Sequence, residues 1–207
     1  MVSSDKKHWE QVYGTKAADS VSWYRPHLER SLDFLQGAGL PLTAPIIDVG
    51  GGASTFVDDL LTLGYSDVTV LDLSEAALAT ARARLGDRAS SVRWICADVT
   101  QADLPARTYA FWHDRAVFHF LTDPAARAEY VDTVRRSVRP GGHVVVATFG
   151  PHGPEKCSGL DVLRYTPDEI HAEFGDAFNK VADAVELHNT PWGSEQEFVY
   201  CYCRLPK

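Results

Sequence analysis

No stretch of about 18 apolar residues, the length a helix needs to cross a bilayer, occurs in the chain, so no membrane span is expected. The start, Met1 to Lys7, has neither an apolar core nor a cleavage pattern, which leads to the expectation of a soluble, cytoplasmic protein. Cysteine is sparse: Cys96, Cys157, Cys201 and Cys203 are too few for a disulfide scaffold and include no Cys-x-x-Cys pair, so reduced thiols and no metal site are expected. Basic residues are in deficit, with 20 Lys and Arg against 28 Asp and Glu and a formal charge of −8, which argues against a nucleic-acid partner. Repeats and low-complexity segments are missing as well, so neither a solenoid nor a long disordered linker is expected.

The 207 residues, 45% of them hydrophobic, suit one domain with a sizeable core. Apolar runs at residues 45 to 49, 67 to 72, 91 to 97, 108 to 113 and 143 to 149 read as buried strands. They alternate with helical segments, the pattern of a parallel sheet with right-handed crossovers. One helix opens with Asp123 as cap and Pro124 at its first position, and places Tyr130, Val131, Val134 and Val138 on one side. Another follows Pro26 with Leu28, Leu32 and Leu35 on one face and ends near Gly37 and Gly39. The chain closes differently, with a helix from about Pro167 to Phe174 and two strands near 178 to 188 and 196 to 204, joined by a turn around Pro191 to Ser194. Cys201 and Cys203 then share one face of the last strand.

Chemistry enters with Ile46-Ile47-Asp48-Val49-Gly50-Gly51-Gly52, an apolar strand ending in an acid and a glycine turn. Without β-carbons the three glycines permit positive φ and let backbone N–H groups come close to a ligand. Ser54 or Thr55 then caps a helix with Phe56, Leu60 and Leu63 on one face. The next strand, Val68 to Leu71, ends at Asp72, close to the roughly 20-residue interval at which a nucleotide-binding unit places an acid for ribose hydroxyls. A dinucleotide fingerprint, however, has a third glycine where Thr55 stands and needs no acid at Asp48, and the second half of the chain holds no second nucleotide unit. NAD and NADP are therefore disfavoured.

Asp48-Val49-Gly50-Gly51-Gly52 resembles the first motif of the class I S-adenosylmethionine-dependent methyltransferases. The resemblance continues through Asp72, Ala97-Asp98-Val99, Trp112-His113-Asp114-Arg115 and Arg139-Pro140-Gly141-Gly142, and covers roughly residues 8 to 204. It implies a Rossmann-like α/β fold, a seven-stranded sheet with helices on both faces and a C-terminal antiparallel hairpin. It also implies S-adenosylmethionine as cofactor, leaving as S-adenosylhomocysteine. Asp48, Gly50, Gly51, Gly52, Asp72, Leu73, Asp98, Val99 and Asp114 are then the expected cofactor contacts, with Asp98 on the adenine. The early aromatics Trp9, Tyr13, Trp23 and Tyr24 resemble the family's lid, in which Trp23 and Tyr24 would wall the donor pocket.

One domain spanning 1–207 is expected, with a lid and helix at 1–40, a cofactor core at 41–150, and a substrate loop, helix and closing hairpin at 151–207. The acceptor is expected to be a small molecule methylated on oxygen, nitrogen or sulfur, since the Gly- and Pro-rich loop from Gly150 to Leu160 is long enough to cover a pocket. His113, His119 and His152 are the candidate bases, and Cys157 is expected to be an unreactive loop thiol. Base methylation is disfavoured, because Asp114-Arg115-Ala116-Val117 stands where nucleic-acid amino methyltransferases often carry an Asn/Asp-Pro-Pro-aromatic motif. A protein acceptor and a noncatalytic cofactor-binding regulator are the rival readings; the sequence leaves the oligomeric state open.

Overall fold

The computed structural model describes residues 2–15 and 17–207, with side chains from Lys6 onward apart from residue 18. Met1, in the segment expected to carry no leader, and Lys16 lie outside them. The strands are β1 (Ile46–Val49), β2 (Val68–Asp72), β3 (Val92–Cys96), β4 (Tyr109–Arg115), β5 (Val138–Phe149), a short pair β6 (Lys156–Cys157) and β7 (Leu160–Asp161), then β8 (Asn179–Asn189) and β9 (Glu195–Arg204). Seven of them form one sheet in the order β3-β2-β1-β4-β5-β9-β8. The first five run parallel, and β9 is antiparallel to both of its neighbours. The expected sheet and closing hairpin are thus present.

Continuous apolar runs became two-faced burial in the middle of the sheet: every residue of β1 and β2 is buried. At the edge, β8 alternates instead. Side chains of β4 and β5 separate by parity, with Phe111 and Val145 in the core beneath α2 (Glu29–Gly37), α3 (Phe56–Thr62) and α4 (Glu75–Leu85). Trp112, Val144 and Val146 join the opposite core beneath α5 (Pro124–Ser137) and α6 (Pro167–Phe174). Helix starts follow local chemistry. Ser74 Oγ accepts from Ala77 N–H at 3.2 Å, Asp123 caps α5 ahead of Pro124, and Thr166 with Glu169 forms a capping box on α6. At α3 the cap is Ser54, whose Oγ accepts from Phe56 N–H at 3.1 Å; Thr55 instead donates to the carbonyl of Arg25.

The largest departure from the expected boundaries lies between α5 and β5. The fifth strand begins at Val138, not His143, so Val138 opens a strand and is not part of the α5 stripe. The Arg139-Pro140-Gly141-Gly142 turn is drawn into the sheet because the end of the chain pairs with it: Gly141 N–H donates to the Leu205 carbonyl and Leu205 N–H to that of Gly142. Gly141 has φ +74°, a conformation that only glycine takes without strain.

A buried carboxylate sets the exit of β4. Asp114 accepts from the N–H groups of Val117 (2.8 Å) and Phe118 (3.1 Å) and from the Tyr130 hydroxyl (2.6 Å), which in turn accepts from Trp112 Nε1 (3.0 Å). These bonds hold Ala116 at φ +73°. Burial raises the Asp114 pKa from 3.8 to about 6, against the lowering effect of its donors. Folding therefore favours the protonated carboxyl, a contribution present in full below pH 3.8 and lost as pH rises through about 6. Tyr130→Phe removes the shortest donor to the charged form and orphans Trp112 Nε1. We expect it to lower stability by about 2 kcal/mol near neutral pH and by clearly less in acid, where Asp114 is protonated, as read from urea unfolding at both pH values.

Candidate functional site

A cavity of about 350 Å³ lies over the carboxyl ends of β1, β2 and β4, where open α/β sheets bind ligands. Its floor is the glycine turn. Gly50 leaves β1 at φ +69° and donates to the Leu71 carbonyl at 2.7 Å, which ties the turn to β2. A β-carbon on Gly52 would lie 2.5 Å from Asp72 Oδ2 and also collide with Ala77. The bare backbone is thus what lets turn, acid and α4 meet.

Asp72 is 6% exposed; its two oxygens accept from Gly52 N–H (3.0 Å) and Ser74 N–H (2.8 Å). Burial raises its pKa from 3.8 to about 6. The two N–H donors pull it down, while the negative charges of Asp48 and Glu10 push it further up. Asp48 sits beside it, with Oδ1 accepting from His113 Nδ1 at 2.7 Å. In the neutral imidazole, His113 Nε2 accepts from the Ser31 hydroxyl at 2.8 Å. Asp48 Oδ2 is buried without a hydrogen-bond partner among the described residues. Asp98 is fixed by Thr100, whose N–H (2.9 Å) and hydroxyl (2.8 Å) both donate to Oδ1.

The roof is aromatic. Trp9 and Tyr13 come from α1 (Val2–Thr15) and pack against Trp23 and Phe120, with ring centroids 5.1 Å apart for Trp9 and Phe120 and 5.9 Å for Trp9 and Trp23. The Glu10 carboxylate clamps α1 down by accepting from the N–H groups of Glu75 (2.7 Å) and Ala76 (3.1 Å), the first turn of α4. The glycine-proline loop folds into the β6–β7 hairpin around Ser158 (φ +51°) and Gly159 (φ +84°), two left-handed residues in a tight turn. Cys157, Leu160 and Asp161 of this hairpin line the cavity.

Of the residues expected from sequence, Asp48, Gly50, Gly51, Asp72 and Leu73 line the cavity, as do Asp98, Val99, His113, Trp23 and Tyr24. Four others do not. Gly52 lies beneath, where it bonds Asp72. Asp114 points to the opposite face of the sheet and serves the β4 exit turn. His119 is fully buried, accepts from Phe149 N–H at 3.3 Å through Nδ1, and is held neutral because burial, then the charge of Arg115, lowers its pKa to about 3. His152 is exposed in the loop after β5, its N–H donating to Glu197. Sequence reasoning passed over Arg25, Arg115 and Glu10. Only Arg115, adjoining Asp114 at a strand end, carried a local signal.

The lining has the chemistry that suits a nucleoside bearing an amino acid: a buried strand-end carboxylate at Asp72, a turn of bare glycine backbone, and a buried Asp48 oxygen without a partner among the described residues. Residues 46–142 match the model of the Methyltransferase domain family. The chain is 29% identical over 139 residues to malonyl-[acyl-carrier protein] O-methyltransferase of Paenibacillus sp. (strain JDR-2), an alignment covering 65% of this chain and 49% of that protein. It is 25% identical over 117 residues to the eEF1A lysine and N-terminal methyltransferase of Mus musculus, covering 56% of this chain and 16% of that one. The chain therefore spans at most about half the length of these curated relatives. Its fold is that of the Burkholderia thailandensis 1,6-didemethyltoxoflavin-N1-methyltransferase solved with S-adenosylhomocysteine (TM-score 0.68, 21% identity, 99% of this chain and 85% of that one). Among the described residues no helix is long and apolar enough to cross a membrane. The glycine turn, the acids ending its neighbouring strands, the sheet order and the match of residues 46–142 to the Methyltransferase domain family together make this chain similar to the class I S-adenosylmethionine-dependent methyltransferases.

Proposed function

We propose that the protein transfers the methyl group of S-adenosylmethionine to a small-molecule acceptor by in-line displacement, as one domain with a lid (1–40), a cofactor core (41–150) and an acceptor segment (151–207). The observation that carries this reading is a cavity of about 350 Å³ lined both by the α1 aromatics and by the β6–β7 hairpin, a size suited to a modest ligand. Bound S-adenosylmethionine supplies a methyl group already activated by its sulfonium. Asp72 would hold the ribose hydroxyls, Asp98 and Val99 the adenine, Asp48 and the glycine turn the methionyl end, and Trp23 and Tyr24 the sulfonium.

What remains for the protein is to hold the acceptor in line and exclude water, which the cluster of Trp9, Tyr13, Trp23 and Phe120 does by position. His113 is engaged at both ring nitrogens, and His119 and His152 lie outside the cavity. This favours an acceptor atom that arrives with an available lone pair, such as a thiolate or an unprotonated amine, over one needing a strong base. A protein acceptor is the second reading, favoured by the mouse relative, whose name specifies lysine and N-terminal methylation of eEF1A.

Incubating the protein and isotopically labelled S-adenosylmethionine with a cell metabolite extract is expected to give a labelled small molecule by mass spectrometry. Label confined to polypeptide would establish the second reading, and S-adenosylhomocysteine binding without any transfer would indicate a regulator. Asp72→Ala is expected to weaken S-adenosylhomocysteine at least about tenfold in calorimetry, through loss of two charge-assisted bonds.

A pH dependence follows from the same carboxylate. Two hydroxyl donors need the ionised form, so affinity is expected to fall as pH drops through about 6. The loss should be about tenfold between pH 7 and pH 5, and Asp72→Asn should flatten the profile. An unchanged slope in that variant would remove Asp72 from ribose binding.

A further inference from the structure

The acceptor end of the cavity holds a buried cation whose hydrogen bonding is incomplete. Arg115, the last residue of β4, has a side chain only 5% exposed and lines the cavity. Its Nε donates to the Tyr200 hydroxyl (3.2 Å), its Nη1 to the Trp23 carbonyl (3.1 Å), and its guanidinium carbon lies 4.0 Å from the centre of the Phe198 ring. Nη2 has no hydrogen-bond partner among the described residues; the nearest carboxylate oxygen, Glu186 Oε1, stands 3.6 Å away and is taken by Arg25 at 2.8 Å. A buried guanidinium N–H left unpaired is costly, and the fork of arginine matches a carboxylate or phosphate face.

Charge and position agree. Arg25 and Arg115 share the single carboxylate of Glu186; the other partner of Arg25, Glu29, is 59% exposed and screened by solvent. Asp161, the remaining acid at this end, is paired with Lys156 at 3.0 Å. The buried guanidinium of Arg115 is therefore left with only the longer, shared contact to Glu186. Arg115 reaches away from the glycine turn, across β5 to β9 and β8, as its contacts with Tyr200, Phe198 and Glu186 show. The cofactor acids Asp72 and Asp98 follow β2 and β3 on the other half of the sheet.

We propose that Arg115 binds an anionic group, a carboxylate or an equivalent oxyanion, on the methyl acceptor itself, Nη2 being the donor held for it. The inference rests on the methyltransferase reading and narrows its substrate class to small acids with an apolar body, which would lie against Trp23 and Phe120. Arg115 is then a specificity residue of the acceptor site.

Benzoate and its uncharged counterpart benzamide serve as probes, titrated by calorimetry into the full chain saturated with S-adenosylhomocysteine. Benzoate is expected to bind at least about tenfold more tightly, and Arg115→Met to abolish that preference. Arg115→Gln, which keeps a donor toward Tyr200 or Trp23, provides the same test if the methionine variant does not fold. Equal binding of the two probes, or binding of neither, overturns the proposal even where S-adenosylhomocysteine binds normally. Failure of S-adenosylhomocysteine itself to bind the wild-type protein would overturn the underlying reading instead. The competing source of a carboxylate is the cofactor. If Arg115→Met weakens S-adenosylhomocysteine but not 5′-methylthioadenosine, which has no carboxylate, Arg115 serves the cofactor and the proposal falls.

Discussion

The architecture above the sheet depends on one ionisable group taken out of water, the carboxylate of Asp72. An isolated buried carboxylate costs several kcal/mol. Its two charge-assisted bonds, to Gly52 and Ser74 N–H, return about 1.5–3 kcal/mol each. The residue of that imbalance shows as a pKa raised to about 6. Both donors are backbone groups, so they must be delivered by chain geometry: Gly52 without a β-carbon, and Ser74 at the start of α4. The same helix start receives Glu10 from the lid, whose negative charge opposes ionisation of Asp72. Glycine turn, helix cap and α1 thus converge on one buried carboxylate, whose two backbone donors only partly offset its burial.

The strand beside β1 works by alternation. In Trp112-His113-Asp114-Arg115, the residues Trp112 and Asp114 face α5, where they share the Tyr130 hydroxyl network. His113 and Arg115 face the cavity, His113 steadying Asp48 and Arg115 spanning to β9. The period of two in a strand therefore decides which of two adjacent charged residues lines the cavity. Reading Asp114 as a cofactor contact by motif position overlooked that parity. Its location also explains how a non-glycine residue, Ala116, holds a left-handed conformation at the cavity edge: the carboxylate bridges the next two N–H groups and fixes the turn.

What the sequence made legible was local. Strand, glycine turn, helix and acid form a contiguous code, and the cap at Asp123 and the closing hairpin appear where residue chemistry puts them. What stayed hidden joins distant segments. Glu10 meets α4 across 65 positions, and Arg115 meets Tyr200 across 85. No local pattern distinguishes either from a solvated charge. The histidines show the converse. His119 looks reactive by type and placement, yet a full shell of Phe149, Phe120 and backbone removes it from the cavity and keeps it uncharged. Residue type offers a candidate base, and burial decides whether it is one.

The two halves of the cavity also differ in where they lie relative to the family match. The family match runs from residue 46 to 142, through β1–β4 and into the start of β5, and so includes the glycine turn, Asp72 and Asp98. The β6–β7 hairpin and the partners of Arg115 on β8 and β9, Glu186, Phe198 and Tyr200, all lie beyond it. A donor half set by backbone donors and strand-end acids can stay fixed while an acceptor half built from hairpin and edge-strand side chains changes its charge and shape. In this chain that second half carries aromatic side chains and one buried guanidinium whose ion pair with Glu186 is shared with Arg25. If the acceptor binds at Arg115 as proposed, that side chain would disfavour a neutral ligand, which leaves its Nη2 unpaired, and a cation, which it repels.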